Sequence, residues 1–288
     1  MNQALGREAM VKNLLSHLGP GGSAVAAGGP RMGKTTFLHQ IAAAAADAFR
    51  VIQVDFATGP RPDPAHIKLN ELSGGASAMH CPVLLLIDGC ERLLPDPAPF
   101  INGISQAVRH SEMSLAGGVW AGDARWGEWA MANQPAFTDP VRYYPLIVLP
   151  PKEARLFLKC HWSDDVPLSE LEWVAELSGG HPYLLARMVE GPKRDFDTFF
   201  AELWSAADSP AERDVIAQLV QAKTWVELQD LKDDAGGRVP KSVLDRLAVV
   251  GLINRTLIDG AAVAAAVSPL LGDWVRRTEE GIKGRADV

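Results

Sequence analysis

Residues 28–35 read Gly-Gly-Pro-Arg-Met-Gly-Lys-Thr and fit G-x-x-x-x-G-K-[ST] without a mismatch. No other stretch limits the fold as much. The pattern works in one setting, a buried strand that ends in glycines and a helix that starts at the lysine. Glycines let backbone N–H groups converge on phosphate oxygens, and the helix directs its positive end at them. Residues 24–27 are a small apolar run of buried-strand type, and residues 34–49 read as a helix with Phe37, Leu38, Ile41 and Ala45 on one face. In that setting Gly28, Gly29, Pro30, Arg31, Met32, Gly33 and Thr36 shape a phosphate cradle. Lys34 reaches the β and γ phosphates, and Thr35 places a hydroxyl on Mg²⁺.

A cradle of this kind needs an acid at the end of a buried strand. Residues 83–88, Val-Leu-Leu-Leu-Ile-Asp, are apolar enough for the middle of a sheet. Asp88 closes the run and suits a hold on Mg²⁺ through water. Hydrolysis also needs a group that orients or deprotonates the attacking water. Gly89 follows Asp88, so the next acid is Glu91. Glu91 reads either as that group, brought round by a turn, or as the first-turn acid of a short helix.

The remaining pattern completes the fold class. Strand-like runs at 51–56, 115–121 and 146–149 alternate with helical stretches, which implies a parallel sheet covered on both faces. Proline-rich breaks at 59–64 and 95–99 read as loops. After Pro150-Pro151 the chain turns helical, with segments at 152–161, 169–177, 182–189 and 196–206. Ser209-Pro210-Ala211-Glu212 is a helix start. Helices at 209–221, 225–232 and 240–250 follow, then strands at 252–258 and 261–267 joined by Asp259-Gly260, a hairpin signal, and a last helix at 269–278. That is the order of a winged helix-turn-helix. The expectation is an α/β protein: a P-loop NTPase parallel sheet with helices on both faces over 1–150, a helical lid over 151–208, and a C-terminal winged helix-turn-helix over 209–288.

Composition bounds the partners. A formal net charge of −7 means no global field attracts nucleic acid, so any such contact must be local. The three cysteines, Cys81, Cys90 and Cys160, lack metal-ligand spacing and suit a reducing compartment. The start of the chain carries no leader pattern, and the longest alanine-rich run, 41–46, is too short to span a bilayer. A cytoplasmic protein with no membrane partner is expected.

With these stretches in hand, the chain resembles the STAND group of signal-transducing P-loop ATPases, a branch of the AAA+-like NTPases. Leu5-Gly6-Arg7-Glu8 is similar to the G-R-E element that precedes the cradle in this group, and the resemblance places Arg7 near the base and ribose. Ile87-Asp88-Gly89-Cys90-Glu91 resembles the NACHT variant of the metal strand, although Arg92 stands where another acid is usual. Arg125, with Asp123 beside it, falls where the group carries its sensor-1 residue. Arg142 matches an arginine that precedes the fifth strand and can serve a neighbouring subunit's nucleotide. In Ser178-Gly179-Gly180-His181-Pro182-Tyr183, the resemblance puts Pro182 on the adenine and His181 toward the phosphates. Tyr183 occupies the place where many lids carry an arginine, with Arg187 a turn later.

The resemblance implies ATP or ADP with Mg²⁺ as ligands and a slowly hydrolysing switch as the activity. The group's effector domain and sensor repeats have no counterpart in these residues, so the resemblance implies separate protein partners for input and output, or a nucleotide-dependent homo-oligomer. Two other functions stay open: an origin-recognition-like ATPase that binds DNA through its winged helix, and a nucleotide-binding scaffold without turnover. Arg238, Lys241 and Arg246 are the basic residues at the third helix, but acids lie around them and the wing, 259–264, carries no basic side chain at its tip. DNA is therefore not the favoured partner.

Overall fold

The computed structural model describes residues 7–18, 21–56, 82–110, 115–137, 140–162, 165–191, 195–233 and 235–286. The loop expected at 59–64, and Leu5 and Gly6 of the G-R-E element, lie outside them. Five strands, β1 (Gly22–Ala27), β2 (Arg50–Asp55), β3 (Val83–Asp88), β4 (Leu115–Gly122) and β5 (Arg142–Pro145), pair in the order β2-β3-β4-β1-β5. Every pairing is parallel. All six residues of β3 are buried, which explains its unbroken apolar run between β2 and β4.

Alternate side chains of each strand feed opposite layers. Leu84 and Leu86 join Phe37, Leu38, Ile41 and Ala45 of α2 (Lys34–Ala45) and Val11 and Leu14 of α1 (Glu8–His17). Leu85 and Ile87 join Phe100, Ile101 and Ile104 of α3 (Ala98–His110) and Trp126 and Ala130 of α4 (Ala124–Ala132). The sheet therefore has helices on both faces, as expected. Strand order reverses at β1, with β4 on one side and β5 on the other. In open parallel sheets that reversal leaves a crevice at the carboxyl ends of the strands. The cradle leaves β1 at that end.

The chain forms two compact units: residues 1–28 with 33–146, and residues 29–32 with 147–288. The second contains α5 (Pro151–His161), α6 (Leu168–Ser178), α7 (Pro182–Val189), α8 (Asp197–Ser205), α9 (Pro210–Ala222), α10 (Lys241–Val250) and α11 (Pro269–Ala286). It also holds an antiparallel sheet in the order β6-β8-β7, made of β6 (Val226–Glu227), β7 (Ile253–Ile258) and β8 (Ala261–Ala266). The Asp259-Gly260 hairpin forms where expected. Both residues have positive φ, 50° and 83°, the torsions of a two-residue turn that matches strand twist. At α9 the Ser209 hydroxyl accepts from Glu212 N–H while the Glu212 carboxylate accepts from Ser209 N–H, a reciprocal cap.

Two expectations are corrected. The fifth strand is Arg142–Pro145, not 146–149. Leu146 N–H still bonds Ala27 O at 2.7 Å, but Leu149 N–H goes to Gly180 O; Leu146, Val148 and Leu149 are buried beyond the ladder while Ile147 is exposed. Residues 225–232 are not a helix. Val226 and Glu227 pair with Ala264 and Val263 of β8, and Leu228 N–H donates to Ala262 O. Backbone groups taken by a neighbouring strand override local helix propensity. Helices α1, α3 and α4 add to what the sequence pattern places.

Candidate functional site

Gly33 ends the cradle at φ 78°, a left-handed torsion open to glycine, and α2 starts at the next residue. Phe37 N–H is the first to bond back into the helix, to Gly33 O at 2.9 Å. The amides ahead of it point out of the helix end, where anions bind. Lys34 folds over the loop, and its Nζ donates to Gly28 O at 2.9 Å. Thr36 follows on the same first turn.

Thr35 and Asp88 meet, although 53 positions separate them in the chain. The Thr35 hydroxyl donates to Asp88 Oδ2 at 2.5 Å, and Gly89 N–H donates to Asp88 Oδ1 at 2.9 Å. Asp88 is buried, so this pairing aims the carboxylate. Among the described residues no group of three or more His, Cys, Asp or Glu converges as a metal cage. One carboxylate and one hydroxyl are what Mg²⁺ uses when phosphates and water complete its shell, and the donor set fits that ion.

Glu91 lies on a short 3-10 turn, Cys90–Leu93, entered through Gly89 at φ 73°. Its Oε2 is buried and has no hydrogen-bond partner. Burial pushes the carboxyl above its ordinary value; Lys34 pulls it down, and the Asp123 and Asp88 charges push it up. Those three charges put Glu91 within reach of Lys34, of Asp88 at the end of β3 and of Asp123 at the end of β4. Glu91 is the first-turn acid of this short helix, and the charges of Lys34, Asp123 and Asp88 act on it. The neighbouring Cys90 is fully buried, which raises its thiol far above the usual range and makes it a packing residue.

The two sensor-1 candidates meet at the end of β4. Asp123 caps α4, accepting from Trp126 N–H at 2.9 Å, and also accepts from Arg125 Nε at 2.9 Å. Arg125 is exposed and turned onto that acid. Asp123 is a cap that the sequence could show: an Asp just before Trp126 and Ala130 at helical spacing. Arg92 donates to Phe56 O at 2.7 Å and so ties this turn to the end of β2.

Arg142 is the first residue of β5, exposed, in register with Ala24 while Pro145 is in register with Ala27. Three strand residues, about 10 Å, separate it from the cradle end of the sheet. Arg7 is buried and starts α1, its carbonyl accepting from Val11 N–H.

The crown of the cradle, Gly29–Met32, packs within the second unit. Gly29 N–H donates to Val249 O at 2.8 Å, and a Cβ there would lie 1.9 Å from Val250 O, so only glycine fits. Met32 is fully buried, its sulfur 3.0 Å from where a Cβ on Gly251 would stand. In the same unit His181 caps α7, Nδ1 accepting from Tyr183 N–H at 3.3 Å with the ring edge-on to Phe199. Pro182 is buried at the first helical position.

No protein-family model matches the chain, and no curated protein does. Among solved structures it is similar to a signal transduction ATPase with numerous domains from Pyrococcus horikoshii, which has a tetratricopeptide repeat sensor: 17% identity, TM-score 0.42, over 94% of this chain and 42% of that one. The chain thus spans less than half of that protein. It is also similar to Cdc6p from Pyrobaculum aerophilum, at 13% identity and TM-score 0.42 over 94% of both chains. The RuvB Holliday junction branch migration motor of Thermotoga maritima matches at 16% identity and TM-score 0.42, over 90% of this chain and 92% of that one.

Proposed function

We propose that the protein is a Mg²⁺-dependent ATP-binding switch of the STAND type, with slow turnover, acting in the cytoplasm through partner proteins or self-association. One observation carries the reading: the Thr35 hydroxyl and Asp88 carboxylate meet at 2.5 Å beside a lysine already folded over its loop. That is the pairing a phosphate cradle with a metal-side acid needs. Mg²⁺, taken by Thr35 and through water by Asp88, would neutralise phosphate charge. Lys34 supplies the counter-charge for the β and γ oxygens. Glu91 accepts the proton of the water that attacks the γ-phosphorus, and ADP leaves with the electron pair of the broken P–O bond. Turnover is slow because Glu91 stands on a turn three residues past Asp88 and nothing pins its Oε2. Arg142 serves a neighbouring copy when the protein self-associates.

We read α9, α10, the β7–β8 hairpin and α11 as a winged-helix module that works on protein. Arg246 of α10 binds the buried Glu212 at 2.8 Å and also Asp208, and Arg255 of β7 binds Asp245. These arginines are committed to acids, which weakens a DNA reading that depends on phosphate contacts. Phosphate release from Mg·ATP tests the proposal. Wild-type protein should release phosphate and Lys34→Ala should not; equal release by both would place the activity elsewhere.

A further inference from the structure

Arg31, at the crown of the cradle, has φ 55°, in the left-handed region that disfavours side chains. Such a torsion persists where surroundings over-determine it. Inside the second unit the guanidinium is held twice. Nε lies 2.9 Å from Glu202 Oε2 of α8, and Cζ stands 4.5 Å from the centre of the Tyr183 ring of α7. The residues beside it are fixed too, Gly29 by the Val249 carbonyl of α10 and Met32 by full burial. The chain on either side, Gly28 and Gly33 with Lys34, belongs to the sheet unit.

We propose that Arg31 is a clasp: its grip on Glu202 and Tyr183 holds the crown in its left-handed bend, so that the lid helices set the cradle's affinity for phosphate. This rests on the reading of the cradle as an ATP site. Arg31 is a positioning residue. It acts through the backbone that presents the Gly33, Lys34 and Thr35 amides, which are two to four residues along the chain. Release of the clasp frees the bend and spreads those amides, which weakens binding without altering the groups that act on water. The signal also runs backward. Whatever moves α7 or α8 pulls on the crown through covalent chain, and whatever orders the crown favours the α7–α8 arrangement that grips Arg31.

Side-chain exposures of 40% and 41% for Arg31 and Glu202 mark a solvated pair, so the effect is modest. With the aromatic contact, loss of either partner should weaken Mg·ATP binding about fivefold. The test is a cycle of Arg31→Ala, Glu202→Ala and the double variant, with Tyr183→Leu as a second probe of the same clasp. Two quantities are read: the Mg·ATP dissociation constant by calorimetry, and amide hydrogen exchange over residues 29–33 in nucleotide-free protein. Each single variant should weaken binding, raise KM with kcat unchanged and speed exchange at the crown, and the double variant should be no weaker a binder than Arg31→Ala alone. Multiplying effects in the double variant, or unchanged affinity and exchange in the singles, would overturn the clasp. Exchange needs no nucleotide, so its failure is distinct from failure of the ATP reading. Wild-type protein that gives no heat with Mg·ATP would remove that reading and the affinity claim together.

Discussion

Glu91→Gln separates binding from turnover and carries a stability signature that a surface acid would lack. The variant keeps the side chain's shape but cannot take a proton. Loss of a positioned general base lowers turnover by roughly 10²–10⁴-fold. That corresponds to about 3–5 kcal/mol of transition-state stabilisation. Mg·ATP affinity should stay within about twofold, because Glu91 contributes no positive charge or donor to the phosphates. The pH dependence follows from the raised carboxyl. Activity needs the ionised form, so the acidic limb of the wild-type rate profile should lie above the ordinary carboxylate value of 4.5. Stability runs the other way. The folded protein holds this proton more tightly than the unfolded chain, so the stability due to Glu91 is full below 4.5 and is lost as pH rises through the raised value. At pH 8 the ionised carboxylate has a buried, unpartnered Oε2, and removing its charge should stabilise the protein by about 1 kcal/mol. At pH 4 the variant and wild type should be alike. Phosphate release and urea unfolding at both pH values measure this. Retained turnover, or equal stability at pH 8, would refute the assignment.

Substitutions in the second unit test its packing. Gly29→Ala sets a methyl 1.9 Å from the Val250 carbonyl oxygen, a backbone atom that cannot step aside, and should cost about 1–3 kcal/mol in urea unfolding. Gly272→Ala is its control: the nearest atom to its Cβ is 3.7 Å away, and an alanine inside α11 should stabilise by about 0.5–1 kcal/mol. Arg246→Ala leaves Glu212, whose side chain is 4% exposed, without its cation, and should cost about 3 kcal/mol. Glu212→Gln in the same background should recover part of that loss.

Much of the site was legible because it is local. Gly28 to Thr35, the strand before them and the helix after them are set by contiguous residues, and Asp88 follows from an apolar run that ends in an acid. The helix starts at Ser209 and Pro182 were equally readable, since caps and N-terminal prolines act within one turn. What the sequence could not supply depends on pairing across the fold. Residues 225–232 read as a helix, but Val226 and Glu227 pair with β8. Residues 146–149 have strand composition, but the ladder ends at Pro145. Arg125 falls at the sensor-1 place in the sequence, and only the fold shows Asp123 holding it while capping α4. Arg31 read as one more cradle residue. Its partners, Tyr183 and Glu202, lie more than 150 positions along the chain and share no motif with it.

The central claim is that residues 28–35 with Asp88 form a working Mg·ATP site. Titration calorimetry of wild-type protein and Lys34→Ala with ATP, in the presence and absence of Mg²⁺, tests it most directly. The account predicts saturable one-site binding by wild type that strengthens with Mg²⁺ and disappears in Lys34→Ala. Binding that ignores both the metal and Lys34, or no binding at all, would contradict it.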